Sequence, residues 1–415
     1  MDQAAAGTGE ACDFGARRLD CRGIPCQTMS GSARANDRDE SATQGRAFTM
    51  TKLHELAALG QSVWLDFIHR DILESGRLAA LIADGVRGVT SNPAIFEKAI
   101  AGSADYDRDI ERLAGEGLGP EAIYEALAVL DVRRAADLLR PVYDSSAGGD
   151  GFVSLEVSPA LADDAEATAA EAARLFSAVG RPNLMIKIPA TPAGIRAVEA
   201  AVAAGISVNV TLIFSLSQYG AAAKAYIAGL ERRLAAGGAL APIASVASFF
   251  VSRVDSAVDP LLEKLGHRDL AGKIAVDNAK LAYAHFREIF RGERWGRLAA
   301  AGGRLQRPLW ASTGTKNPAY PDTLYVDSLI GPETVNTLPP ATLAAFMDHG
   351  TAALTLDRDL EASRRRLSKL AALGIDLDAV TAELLAEGVA AFARPFESLM
   401  RSIQGKADHV RRRPA

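Results

Sequence analysis

From about residue 50 onward the chain alternates two patterns. Short runs rich in β-branched, aromatic and other apolar residues are separated by longer Ala/Leu/Glu/Arg runs with apolar positions at helical spacing. The short runs read as strands at 63–67 (VWLDF), 87–91 (RGVTS), 152–157 (FVSLEV) and 184–190 (LMIKIPA). Four more follow at 207–214 (SVNVTLIF), 243–251 (IASVASFFV), 308–313 (PLWAST) and 334–338 (TVNTL). The spacing predicts helices between them, among them 161–179 and 217–236, the latter ended by Gly237-Gly238. Alternation of strand and helix argues for a parallel sheet. Eight such units over about 350 residues predict an α/β chain folded as one closed TIM-type (β/α)8 barrel. An open doubly wound sheet is the alternative. It ordinarily carries a Gly-rich phosphate turn after its first strand, and Asp66-Phe67-Ile68-His69 is no such turn.

Polar residues interrupt these runs toward their C-terminal ends, where barrel enzymes build their sites. They are Asp66, Ser91 with Asn92, Glu156, Lys187, Asn209 with Thr211, Ser248, and Ser312 with Lys316. Asn209 and Thr211 are two apart and share a strand face. The turn from Trp310 to Asn317 combines hydroxyls, backbone amides and an ammonium, a set suited to a phosphate oxygen.

Lys187 carries the most information. It lies inside the apolar run Leu184-Met185-Ile186-Lys187-Ile188-Pro189-Ala190. An ordinary lysine, with a pKa of roughly 10.4, holds well under about 1% free amine at neutral pH. Burial favours the neutral amine, a nucleophile able to form a Schiff base with a ketone or aldehyde. The other reading is a lysine whose head snorkels to the rim.

Composition narrows the picture further. The 415 residues are 48% hydrophobic, ample for a large core, and the net charge of -5 argues against nucleic acid or an anionic membrane as partner. Any anionic ligand must therefore meet a local cluster of cations. The longest mostly apolar window, 197–214, is broken by Glu199, Gly205 and Asn209 and reads as helix then strand, not a membrane span. Cys12, Cys21 and Cys26 all lie near the start, so the rest of the chain forms no disulfide, as expected in a reducing cytoplasm. Their spacing matches no common zinc pattern. Residues 1–48, rich in Ala, Gly, Ser, Asp and Arg, are expected to be a disordered extension. The barrel domain is expected over 49–404, and 405–415 reads as a solvated basic tail.

The segment Gly88-Val89-Thr90-Ser91-Asn92-Pro93-Ala94-Ile95-Phe96 resembles the T-S-N-P signature of the transaldolase family. Met185-Ile186-Lys187-Ile188-Pro189-Ala190-Thr191 is similar to the signature around that family's Schiff-base lysine. The resemblance continues through 154–158, 209–212 and 248–253 and spans roughly 50–404. It implies a TIM-type barrel with the lysine on the fourth strand. It also implies transfer of a dihydroxyacetone unit from sedoheptulose 7-phosphate to glyceraldehyde 3-phosphate, with no metal or organic cofactor. The expected partners are sugar-phosphate substrates, and the expected assembly is a monomer or homodimer.

The resemblance also assigns roles, each beside a plainer reading. Asp66 is the general acid/base at the hydroxyl deprotonated for carbon–carbon cleavage, or a cap for the next helix. Glu156 activates water for imine formation and hydrolysis, with Thr211 holding that water, or it is a structural partner of Lys187. Asn92 contacts sugar hydroxyls, or caps the helix that Pro93 opens. Asn209 and Ser248 contact substrate, or make core hydrogen bonds. Arg253 binds phosphate together with Ser312 and Lys316, or pairs with Asp255 or Asp259. The chain departs from the family pattern twice. Phe249 stands where many relatives have proline, and Lys316 stands where many have arginine, replacing a bidentate fork by a point charge.

Overall fold

The structure is a computed structural model that describes residues 50–411. Eight parallel strands close a barrel in chain order: β1 Gln61–Leu65, β2 Val86–Val89, β3 Phe152–Glu156, β4 Leu184–Pro189, β5 Val208–Ile213, β6 Ser245–Phe250, β7 Gln306–Ala311 and β8 Thr334–Leu338. β8 returns to pair with β1, as a (β/α)8 barrel requires. Strands β4, β5, β6 and β8 are buried at every position, because one face fills the barrel and the other lies under helices. This is why they read as near-continuous apolar runs.

Strand ends differ from the sequence reading by a residue or two, and two of the shifts matter. β1 stops at Leu65, so Asp66 stands just beyond it, tied by its N–H to Leu338 O at 2.8 Å. β7 stops at Ala311, and Ser312 turns away with φ 56. Helix starts follow local chemistry. Asp164 caps Ala165–Val179, which ends at Gly180 with φ 61. Ser215 and Gln218 form a capping box on Leu216–Ala235.

The N-terminal end of the barrel is plugged. Asp150 accepts from Trp64 Nε1 at 2.9 Å, from Ser62 Oγ, and from Arg307 at 3.4 Å. Gly88 leaves room for the Trp64 indole, since a Cβ there would lie 2.6 Å from it. The polar residues singled out from sequence gather at the opposite, C-terminal end.

A helix over Leu377–Arg411 closes part of that end. Leu384, Phe392, Leu399, Ile403 and Ala407 are buried along one stripe. Gly388, on the same stripe, comes close to Leu212 of β5. The expectation of a solvated tail from 405 is corrected for residues 405–408 alone. Ala407 is buried, and Lys406 Nζ donates to Ile100 O, Ser103 O and Asp107 Oδ1, the last at 2.6 Å. The apolar periodicity of the helix continues as far as Ala407. The expected extension over 1–48, with its three cysteines, lies outside the described residues. Among the described residues no helix is long and apolar enough to cross a membrane.

Candidate active site

The C-terminal mouth holds a cavity of about 160 Å³. Eight of the residues singled out from sequence line it: Asp66, Asn92, Lys187, Thr211, Ser248, Arg253, Ser312 and Lys316. Its charged lining is three cations to one carboxylate, a local reversal of the chain's net charge that suits an anionic ligand.

Lys187 sits at the centre of β4 and is 5% exposed. It does not snorkel. Its Nζ donates to Ser91 O at 3.2 Å, lies 3.5 Å from Glu156 Oε2, and sits 5.6 Å from the centre of the Phe392 ring. Parallel register puts Glu156 and Asn209 on either side of it. Burial pushes the Glu156 carboxyl up to about 7, Lys187 opposes the rise, and Asp66 adds to it. Glu156 does not line the mouth cavity. It lines a neighbouring cavity of about 350 Å³ and lies beside Lys187 across the β3–β4 register. Glu156 Oε2 and Thr211 Oγ1, on the strands flanking β4, are buried without a hydrogen-bond partner among the described residues.

Asp66 does not cap the next helix, because His69 does so through Asp71 N at 3.0 Å. Asp66 instead accepts from Thr90 Oγ1 at 2.7 Å, and that oxygen is 2.9 Å from Thr337 Oγ1. Asn92 serves its helix through Oδ1, which accepts from Ile95 N at 2.9 Å, while the residue also lines the cavity. Asn209 is fully buried beneath it, donating to Ser154 Oγ at 3.0 Å and accepting from Ser248 Oγ at 2.7 Å. Those two bonds fit the core reading for Asn209, and they hold Ser248 at the cavity wall.

Arg253 pairs with neither Asp255 nor Asp259. Tyr325 and Ala275 N satisfy Asp255, and Tyr320 and Gly272 N satisfy Asp259. Arg253 forms no ion pair among the described residues and lies over Phe250, with 5.3 Å from its guanidinium carbon to the ring centre. Burial pulls it below its ordinary range, with Glu387 and Asp66 opposing. Phe249 packs edge-on against Trp310 in the core, so the residue in the proline position faces away from the cavity.

Sequence reasoning passed over Thr90, Phe250, Thr337 and Phe392, all of which line the cavity. Thr90 lies within the quoted signature, and Phe250 and Thr337 lie at the ends of expected strands. Phe392 gave no local signal, because it comes from a helix some 200 residues after Lys187 and is brought over the mouth by tertiary packing alone. Among the described residues no group of three or more His, Cys, Asp or Glu could hold a metal ion.

The chain is similar to known proteins of one family. Residues 63–403 match the model of the family described as transaldolase/fructose-6-phosphate aldolase. A transaldolase of Neisseria gonorrhoeae is 51% identical over 351 residues, 85% of this chain and 99% of the relative. Transaldolase 2 of Nostoc punctiforme is 49% identical over 369 residues, 85% and 97% of the two chains. A transaldolase of Saccharopolyspora erythraea is 49% identical over 366 residues, 88% and 100% of the two.

Proposed function

The chain belongs to the transaldolase/fructose-6-phosphate aldolase family, its activity is that of a transaldolase, and we propose how its residues divide the work. The reaction moves a dihydroxyacetone unit from sedoheptulose 7-phosphate to glyceraldehyde 3-phosphate through a lysine Schiff base, giving erythrose 4-phosphate and fructose 6-phosphate. The observation that carries the assignment is Lys187, buried at the cavity with Glu156 3.5 Å away on the adjacent strand.

In this reading the Lys187 amine adds to the donor's ketone carbon and water leaves, forming the imine. Asp66 takes the proton of the hydroxyl on the carbon beyond the bond to be broken. That carbon–carbon bond cleaves, an aldehyde departs, and the electron pair settles on the three-carbon enamine at Lys187. The acceptor aldehyde then adds, and Asp66 returns the proton to the new alkoxide. Glu156 activates the water that hydrolyses the product imine, and Thr211 Oγ1 holds it. A carboxyl titrating near 7 can both donate and accept in this role. Asn92 and Ser248 contact sugar hydroxyls, while Asn209 orients Ser248. Arg253, Lys316 and Ser312 receive the phosphate, with Arg253 left uncommitted by the pairing of its neighbouring carboxylates.

We also place the enzyme in the cytoplasm, as a monomer or homodimer that sedimentation would distinguish. In support of the former, all three cysteines fall within residues 12–26.

The test is borohydride reduction with fructose 6-phosphate. A three-carbon adduct is expected on the peptide carrying Lys187, and Lys187→Ala should lose both adduct and turnover. Labelling of another lysine would overturn the assignment. Turnover of fructose 6-phosphate alone should be slow and should accelerate greatly with erythrose 4-phosphate, with ping-pong kinetics. Free dihydroxyacetone accumulating at the full rate without acceptor would mark the chain as an aldolase instead.

A further inference from the structure

The two cations assigned to the phosphate stand on different elements. Arg253 is on the helix Ser252–Lys264 that follows β6, and Lys316 is on the loop that follows β7. Lys316 is exposed and makes no ion pair among the described residues, so its position depends on what holds its loop.

The loop is tied to the Arg253 helix at its start. Ser252 N donates to Ser312 O at 3.1 Å, and the two serine hydroxyls are 3.0 Å apart. It is tied again beyond Lys316 by two carboxylates one turn apart on that helix. Tyr320 Oη donates to Asp259 Oδ2 at 2.7 Å, and Tyr325 Oη donates to Asp255 Oδ2 at 3.0 Å. The other oxygen of each carboxylate is held by backbone, Gly272 N at 3.1 Å and Ala275 N at 2.7 Å. The Tyr320 ring rests against Gly272, where a Cβ would lie 2.9 Å from it and where φ is +70. None of Asp255, Asp259, Tyr320 and Tyr325 lines the mouth cavity. Yet the Tyr320 bond fixes the far end of the short segment carrying Lys316. Fixing both ends removes most of the loop's freedom before ligand arrives, so less is lost on binding.

We propose that Tyr320 and Asp259 form a positioning clasp that holds Lys316 in register with Arg253 and so sets the affinity for the substrate phosphate. The proposal rests on Lys316 being a phosphate ligand, and the experiment separates the two.

Tyr320→Phe removes one oxygen and keeps the ring on Gly272. Two constants are measured: half-saturation of borohydride-trapped imine by fructose 6-phosphate and by unphosphorylated dihydroxyacetone. Competitive inhibition by inorganic phosphate is the third readout. Tyr320→Phe is expected to weaken fructose 6-phosphate and inorganic phosphate by about five- to tenfold while dihydroxyacetone stays within about twofold, the scale of one hydrogen bond. Asp259→Ala should give the same selective loss, and the double variant should be no worse than either single. Lys316→Ala is the reference. If it weakens phosphate and Tyr320→Phe does not, the clasp is refuted and the phosphate reading stands. If Lys316→Ala leaves phosphate binding unchanged, both fail. Equal losses on the two donors, or additive losses in the double variant, also overturn the clasp.

Discussion

Glu156 sits where burial, an ammonium and a second carboxylate compete for its proton. Burial dominates and lifts it to about 7. As the base that activates water it must be ionised, so imine formation and hydrolysis should accelerate as pH rises through about 7. Glu156→Gln should remove that titration from the pH profile of imine release and slow it by about 10²- to 10⁴-fold. Unchanged adduct kinetics would exclude Glu156 from the role. Asp66 works elsewhere in the cycle, beyond β1, and Thr90 and Thr337 hold it from β2 and β8. Asp66→Asn should lose turnover by a similar factor of about 10²–10⁴ and still form the imine, because condensation does not need it. Thr90→Val should cost about tenfold in kcat, the scale of a hydrogen bond to a charged group, with trapping of the imine intact.

At the scale of elements, the helix Ser252–Lys264 carries a titration of its own. Burial lifts the Asp255 carboxyl to about 7, with Asp259 and Asp277 adding and the bonds from Ala275 N and Tyr325 opposing. The folded state therefore keeps its proton after the unfolded chain, near pH 4, has lost it. The stabilisation is fully present below that pH and is lost as pH rises through about 7. Asp255→Asn mimics the protonated group, so the fall in Tm between pH 5 and 8 should be smaller than in the parent chain. An undiminished fall would place the titration elsewhere. The closing helix meets β5 where Gly388 faces Leu212, which bends the strand end with φ 59 just after Thr211. A Cβ at 388 would lie 2.9 Å from Leu212 Cδ2. Gly388→Ala should lower stability by no more than about 1 kcal/mol, because the methyl ends of Leu212 can give and alanine gains helix propensity. It should also lower kcat, because relief pushes either the helix with Phe392 or the strand end with Thr211. A lower Tm with kcat unchanged would show that the contact is only structural.

At the scale of the molecule, the eight barrel strands and the closing helix all fall within the described residues 50–411. We propose 1–48 as an extension outside the barrel domain. A chain shortened to begin at Met50 should keep Tm within about 3 °C and kcat within about twofold, since surface changes away from core features are usually near neutral. A larger drop in either would show that the extension contributes to the barrel.

The sequence by itself determined the barrel and singled out eight residues that line one cavity. Eight strand-like runs separated by helical ones admit few topologies, because parallel strands need crossover helices and adjacent units pair. The polar residues were legible for a related reason. A lysine or carboxylate inside a buried strand breaks an apolar pattern, and Lys187, Glu156 and Asp66 each stood out in that way. Tertiary structure alone decided which of them face the cavity. Asn209 and Thr211 share a strand face, yet Asn209 is consumed by Ser154 and Ser248 while Thr211 lines the opening. It also decided the fate of Arg253, left without an ion pair among the described residues because Tyr320 and Tyr325, from the segment after β7, take the carboxylates beside it. And it brought Phe392 over Lys187. Local pattern records whether a position is buried, which depends on its own element. Partners are chosen by residues far along the chain, and no periodicity carries that information.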